Sequence, residues 1–138
     1  FYANRQAMFD SYRKKPVFSR LPDSSLWAYV DSLTCDLPDG SVRLCYTPQW
    51  EARIYATGGL RDMSLWRVLP KLHMPVLLLR GELSNTFWDS TARLFQHKLP
   101  EAQIVALPNT THLLPLEQPE NAFHIIDKFL SGKVTNDT

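Results

Sequence analysis

Of the four histidines, His112 has the setting best suited to proton transfer. It lies in the run Thr111-His112-Leu113-Leu114-Pro115-Leu116-Glu117-Gln118-Pro119, between a short apolar segment and a Pro-started amphipathic stretch. A neutral imidazole takes a proton from a nucleophile and returns it to a leaving group, and a carboxylate on its other nitrogen fixes the tautomer and stabilises the imidazolium. Two carboxylates of this chain qualify for that second role, Glu82 and Asp89. Glu82 directly follows an apolar run ending at Gly81 and is the candidate acid within this chain, the alternative being an acid upstream of Phe1. Asp89 is read as a solvent-facing residue at a helix start, where the helix dipole favours it. Glu117 is read as structural, its carboxylate serving loop amides or a helix N-terminus. His73, His97 and His124 lie in or beside helical segments with no carboxylate at suggestive spacing, and take surface or packing roles.

The elements that must position His112 are legible from periodicity. Val76-Leu77-Leu78-Leu79 is apolar on both faces, as a buried parallel strand requires, and Gly81 ends it. Residues 86–98 predict a helix with Trp88, Ala92, Leu94 and Phe95 inward, residues 102–107 a second strand, and residues 119–130 a final helix. A right-handed crossover makes the two strands parallel and brings the loops at 82–87 and 108–116 to one side. That side is the carboxyl end of the strands, where open α/β sheets carry their sites.

The first half has a different texture. Asn4 caps a helix over 4–15 with a thin stripe of Ala7, Met8 and Tyr12, and Asp23-Ser24-Ser25 caps a second through Leu26, Trp27, Tyr29, Val30 and Leu33. Pro38-Asp39-Gly40 signals a turn, Val42, Leu44 and Tyr46 alternate as an extended segment, and Pro48 opens a helix over 49–56. Gly58-Gly59 is expected to end that helix and mark a boundary, giving a mostly helical cap over 1–60 and an α/β core over 61–138. Leu65, Trp66, Val68, Leu69 and Leu72 predict a short helix leading into the core, and the polar tail 132–138 is expected to fray. Trp27, Tyr29, Trp50 and Tyr55 serve either an apolar substrate pocket under the cap or core packing.

Composition narrows the function. At 138 residues, 44% apolar and 12% aromatic, the chain has the length and content of one globular domain. A net charge of +1 with both signs interspersed leaves no footprint for nucleic acid or anionic lipid. The longest apolar run is far short of a membrane span, and the first residues lack the features of a signal peptide. Cys35 and Cys45 are read as buried free thiols of a cytoplasmic protein, the alternative being a disulfide in an oxidising compartment. No zinc-ligand spacing and no P-loop are present, so neither a metal nor a cofactor is expected.

The stretch Leu69-Pro70-Lys71-Leu72-His73-Met74-Pro75-Val76-Leu77-Leu78-Leu79-Arg80-Gly81-Glu82 resembles the penultimate strand of α/β-hydrolases with its lead-in, and the His112 segment resembles the loop after the last strand. The resemblance covers residues 65–130, and more weakly extends to the first half as the family's cap. It implies a serine-type hydrolase with catalytic order nucleophile, acid, histidine, in which His112 is the general base. Relatives often show Gly before the histidine, with Glu five residues after it and Pro two further; here Thr111 replaces the Gly, while Glu117 and Pro119 fit. The family's usual acid position falls on Ser84, followed by Asn85, and no G-x-S-x-G occurs. Because two parallel strands leave faces and edges uncovered, the missing strands, nucleophile and an upstream acid are expected N-terminal to Phe1 in the same polypeptide. The expected substrate is a small apolar ester-like compound. The competing readings are a non-catalytic hydrolase-like protein that binds a ligand or partner, and an assembly in which a separate chain supplies the strands.

Overall fold

The computed structural model describes residues 1–132, with side chains described for all of these except 58–63. The tail expected to fray lies outside the described residues from 133 onward. The chain divides into two compact units, Phe1–Met63 and Ser64–Thr138.

In the first unit, α1 (Arg5–Arg13) starts at Asn4, whose side chain accepts the Ala7 amide at 2.9 Å. The predicted cap at 23–25 is corrected: α2 (Asp23–Leu33) begins at Asp23 after Pro22, with no side-chain cap bond, and the Asp23 carboxylate instead pairs with Arg13 at 2.5 Å. Met8, Leu26 and Val30 are fully buried, and aromatic rings extend this core. Trp27 stacks on Phe9 at 4.5 Å, Tyr12 stacks on Phe18 at 5.0 Å, and Tyr29 tilts against Phe18 at 5.1 Å. Burial pushes the Tyr12 phenol up to about 12.

Sequence periodicity misses β1 (Thr34–Asp36), three residues long and directly continuous with α2. It pairs antiparallel with β2 (Val42–Leu44) around a turn in which Gly40 takes φ 82°. Tyr2 bridges the outer side of Val42 through backbone bonds of 2.9 Å in both directions. This hairpin overturns the free-thiol expectation. Cys35 and Cys45 form a disulfide with Cα atoms 5.2 Å apart, because antiparallel pairing sets Cys35 opposite Arg43, two residues from Cys45. Cys35 is half-buried and Cys45 exposed, so neither is a core thiol, and the argument for a reducing cytoplasm loses its basis.

A second correction concerns Gly58-Gly59. Helix α3 (Pro48–Leu65) runs through both glycines. Each costs about 1 kcal/mol relative to alanine in a helix interior, and propagation along an established helix absorbs such a cost.

The second unit holds the parallel pair β3 (Leu77–Gly81) and β4 (Gln103–Leu107), in register from Leu77 opposite Gln103 to Gly81 opposite Leu107. The helix predicted over residues 65–72 is instead the end of α3 and a 3₁₀ turn at Leu69–Lys71, with Leu65 and Val68 exposed. Between the strands, α4 (Asp89–Lys98) starts three residues later than predicted, since Ser84 engages the amides of Thr86 and Phe87 in a turn. Trp88 and Leu94 are consequently exposed rather than inward, while Ala92 is buried and Phe95 meets Trp66 edge-on at 6.4 Å. The short helix α5 (Leu114–Glu117) and then α6 (Pro119–Leu130) follow β4. Leu107, Leu114 and Ala122 form the core between them, with Leu79 and Ile125 packed on it.

Two measurements check the first unit. Alkylation under denaturing, non-reducing conditions finds no free thiol, and replacing both cysteines by alanine lowers unfolding free energy by about 2–3 kcal/mol through the lost loop constraint. The Tyr12 phenol holds its proton more tightly folded than unfolded, so its contribution is complete below pH 10 and is lost as pH rises through about 12. Alkaline unfolding followed by circular dichroism is therefore shallower in Tyr12→Phe.

Candidate functional site

The parallel pair brings the loops after β3 and β4 together at the carboxyl end of both strands. Their backbones continue to pair beyond the sheet: the Glu82 amide donates to Leu107 O at 3.0 Å and the Leu83 amide to Thr110 O at 2.8 Å. The approach is so close that a Cβ on Gly81 would stand 2.0 Å from Thr111 O and 2.5 Å from Thr110 O. Only glycine fits there. Sequence reading saw Gly81 as a strand terminator and missed this contact, which no local pattern announces.

The loop carrying His112 is built from polar side chains turned back on its own backbone. Asn109 adopts φ 57°, a left-handed conformation asparagine tolerates, and its amide donates to Glu82 Oε2 at 3.1 Å. Thr110 is fully buried and donates its hydroxyl to Leu107 O at 2.9 Å. Thr111 donates its amide to Glu117 Oε2 at 2.8 Å and its hydroxyl to Glu117 Oε1 at 2.5 Å. Glu117, only 7% exposed, thus serves a loop amide, the structural role read from the sequence. Thr110 and Thr111 carried no signal beyond being adjacent small polar residues in a loop.

His112 sits at the exposed crest of this loop. Its imidazole makes no hydrogen bond or ion pair among the described residues. No described bond joins it to Glu82, whose exposed carboxylate is engaged through Oε2 with Asn109. Asp89 lies in the first turn of α4 with its carboxylate between Arg80, at 3.0 Å, and Arg93, which holds it away from other duties. Ser84, at the expected acid position, is 8% exposed, and its Oγ accepts the Phe87 amide at 3.2 Å, the Thr86 amide at 3.4 Å, and lies 3.2 Å from Thr86 Oγ1. It is a turn-forming group.

Two cavities among the described residues are lined by residues other than His112. One of about 380 Å³ in the first unit is bounded by Tyr2, Leu44, Tyr46 and Pro48, and one of about 470 Å³ by His73, Met74, Val76 and Ala102 at the opposite end of the parallel strands. Of the four aromatics weighed for a substrate pocket, Trp27 and Tyr29 pack in the first core and Trp50 and Tyr55 are exposed on α3. Among the described residues no three His, Cys, Asp or Glu side chains gather as a metal site, and no helix is long and apolar enough to cross a membrane.

If backbone proximity holds the two loops, Gly81→Ala lowers unfolding free energy by on the order of 3 kcal/mol, whereas Ser84→Ala, which leaves two amides seeking water, costs about 1 kcal/mol. Urea unfolding of both variants checks this; equal losses would contradict the close approach.

No family model and no curated protein matches the chain. Solved structures do. The E-2-(acetamidomethylene)succinate hydrolase matches with a TM-score of 0.79 and 18% identity over 94% of this chain and 46% of its own. A Mycobacterium tuberculosis esterase gives a TM-score of 0.75 at 20% identity over 94% of this chain and 42% of its own. The peroxisomal alpha-beta-hydrolase of Saccharomyces cerevisiae gives a TM-score of 0.76 at 17% identity over 99% of this chain and 38% of its own. The chain spans less than half the length of each. A parallel strand pair whose carboxyl-end loops carry His112, matched at this level by three hydrolases, has the fold of the C-terminal part of an α/β-hydrolase.

Proposed function

We propose that this chain is the cap-bearing C-terminal part of a serine-type hydrolase of small apolar ester-like substrates, with His112 as general base. The observation that carries the reading is the placement of an exposed, unpartnered imidazole on a rigidly anchored loop at the carboxyl end of β4, in a fold whose solved neighbours are hydrolases. His112 would take the proton of a serine attacking the acyl carbon and return it to the leaving group. The nucleophile and the strands that complete the sheet would come from the preceding part of the same polypeptide. The outer edges of the two-stranded sheet, which pair with no further strand among the described residues, and the exposed Phe123, Ile126 and Leu130 on α6 are the surfaces such a part would cover. Glu82 remains the candidate acid within this chain: Asn109 occupies only its Oε2, leaving Oε1 for an imidazole nitrogen. An acid upstream would relieve Glu82 of that duty.

The second reading, a non-catalytic protein of the same fold that binds a ligand or partner, is favoured by Ser84 and Asn85, which stand where the resemblance to α/β-hydrolases implies an acid. The reading frame upstream of Phe1 separates the two. A G-x-S-x-G elbow after a strand supports the enzyme, and a frame without one supports binding. In the full-length protein, labelling by a fluorophosphonate probe and hydrolysis of 4-nitrophenyl acetate are expected, and His112→Ala lowers kcat by about 10²–10⁴-fold with little change in folding. Retention of wild-type kcat by His112→Ala would remove the general-base assignment.

A further inference from the structure

We infer that Thr111 and Glu117 form a bidentate clamp that positions the His112 imidazole, with the Thr111 hydroxyl supplying the clamp's second donor. The inference rests on His112 acting as the general base. Every polar atom of Thr111 is engaged: the amide and hydroxyl donate to the two oxygens of Glu117, the same hydroxyl oxygen accepts the Leu113 amide at 3.2 Å, and the carbonyl accepts the Leu114 amide at 3.2 Å. The residues on either side of His112 are thereby tied to each other and to one buried carboxylate.

Glu117 is itself fixed. It closes α5, its amide donates to Leu113 O at 3.0 Å, and α5 is anchored by buried Leu114 against Leu107 and Ala122. On the other flank, the Thr111 carbonyl lies against Gly81, so the segment cannot sink toward β3. Little freedom is left at His112 beyond its own side-chain torsions. A glycine here would give Glu117 only the amide donor; threonine supplies a second donor and, through Leu113, closes the loop on the far side of the histidine. Glu117 accepts from the residue adjacent to the imidazole and makes no described contact with the ring, which separates it from an acid partner of the histidine. Both are positioning residues.

The test uses the full-length protein and 4-nitrophenyl acetate. Thr111→Val, which keeps the shape and the amide but removes the hydroxyl, is expected to lower kcat about 10–100-fold with KM within about twofold, since displacing a reacting group by about 1 Å costs up to about 10²-fold. Thr111→Ser is expected to restore kcat to within about threefold of wild type. Wild-type kcat in Thr111→Val, or failure of serine to rescue, overturns the clamp. Hydrogen exchange of the unmodified protein reads it without a variant: the Thr111 and Leu113 amides are expected to exchange at least about tenfold more slowly than in a peptide of the same sequence, and peptide-like exchange overturns the clamp. His112→Ala, assayed in parallel, tests the general-base reading separately, because its activity can persist or vanish whatever the amides show.

Discussion

The second unit depends on the absence of one side chain. At Gly81 the end of β3 and the loop after β4 touch backbone to backbone, with the Thr110 and Thr111 carbonyls filling the space any Cβ would need. Parallel pairing sets that contact up, since the register puts Gly81 opposite Leu107 as both strands leave the sheet. The ladder then continues through Glu82 and Leu83, so the two loops behave as a single layer. Everything that locates His112 is built on that layer.

Around the contact the chain spends its buried polar groups on the loop. Thr110 is fully buried and Glu117 nearly so, yet each finds its partner within a few residues: Leu107 O for the one, the Thr111 amide and hydroxyl for the other. Burying a polar group without a partner costs a few kcal/mol, so these pairings make alternative loop conformations expensive. The imidazole is left outside the network, exposed and with no described hydrogen bond. Asp89 shows the opposite disposition, its carboxylate consumed by Arg80 and Arg93 to fasten the start of α4.

The first unit reaches its order by other means. Stacked rings of Phe9 and Trp27 and of Tyr12 and Phe18 fill a small core, and Arg5 pairs with Asp36 to tie α1 to the hairpin, holding the Asp36 carboxyl below its usual range. The β1–β2 hairpin is too short to be stable alone, and the Cys35–Cys45 cross-link compensates by restricting the unfolded chain.

Much of the second unit was written in local pattern. The apolar run at 76–79, the alternation of strand and helix after it and the Pro-started α6 gave the strand-helix-strand-helix order, parallel pairing and the location of His112, because hydrophobic periodicity and crossover handedness are short-range or topological rules. Asn4 as a cap and Glu117 as a loop anchor were legible for the same reason, their partners lying three and six residues away. What local pattern could not supply was distance between segments remote in sequence. The Gly81 contact spans thirty positions or so in the chain, the disulfide depended on a three-residue strand that no period reveals, and the start of α4 was settled by a serine hydroxyl competing for two amides. Exposure of Trp88 and Leu94 likewise followed from where neighbouring elements ended, since apolar residue type states what burial would gain and packing decides which residues receive it.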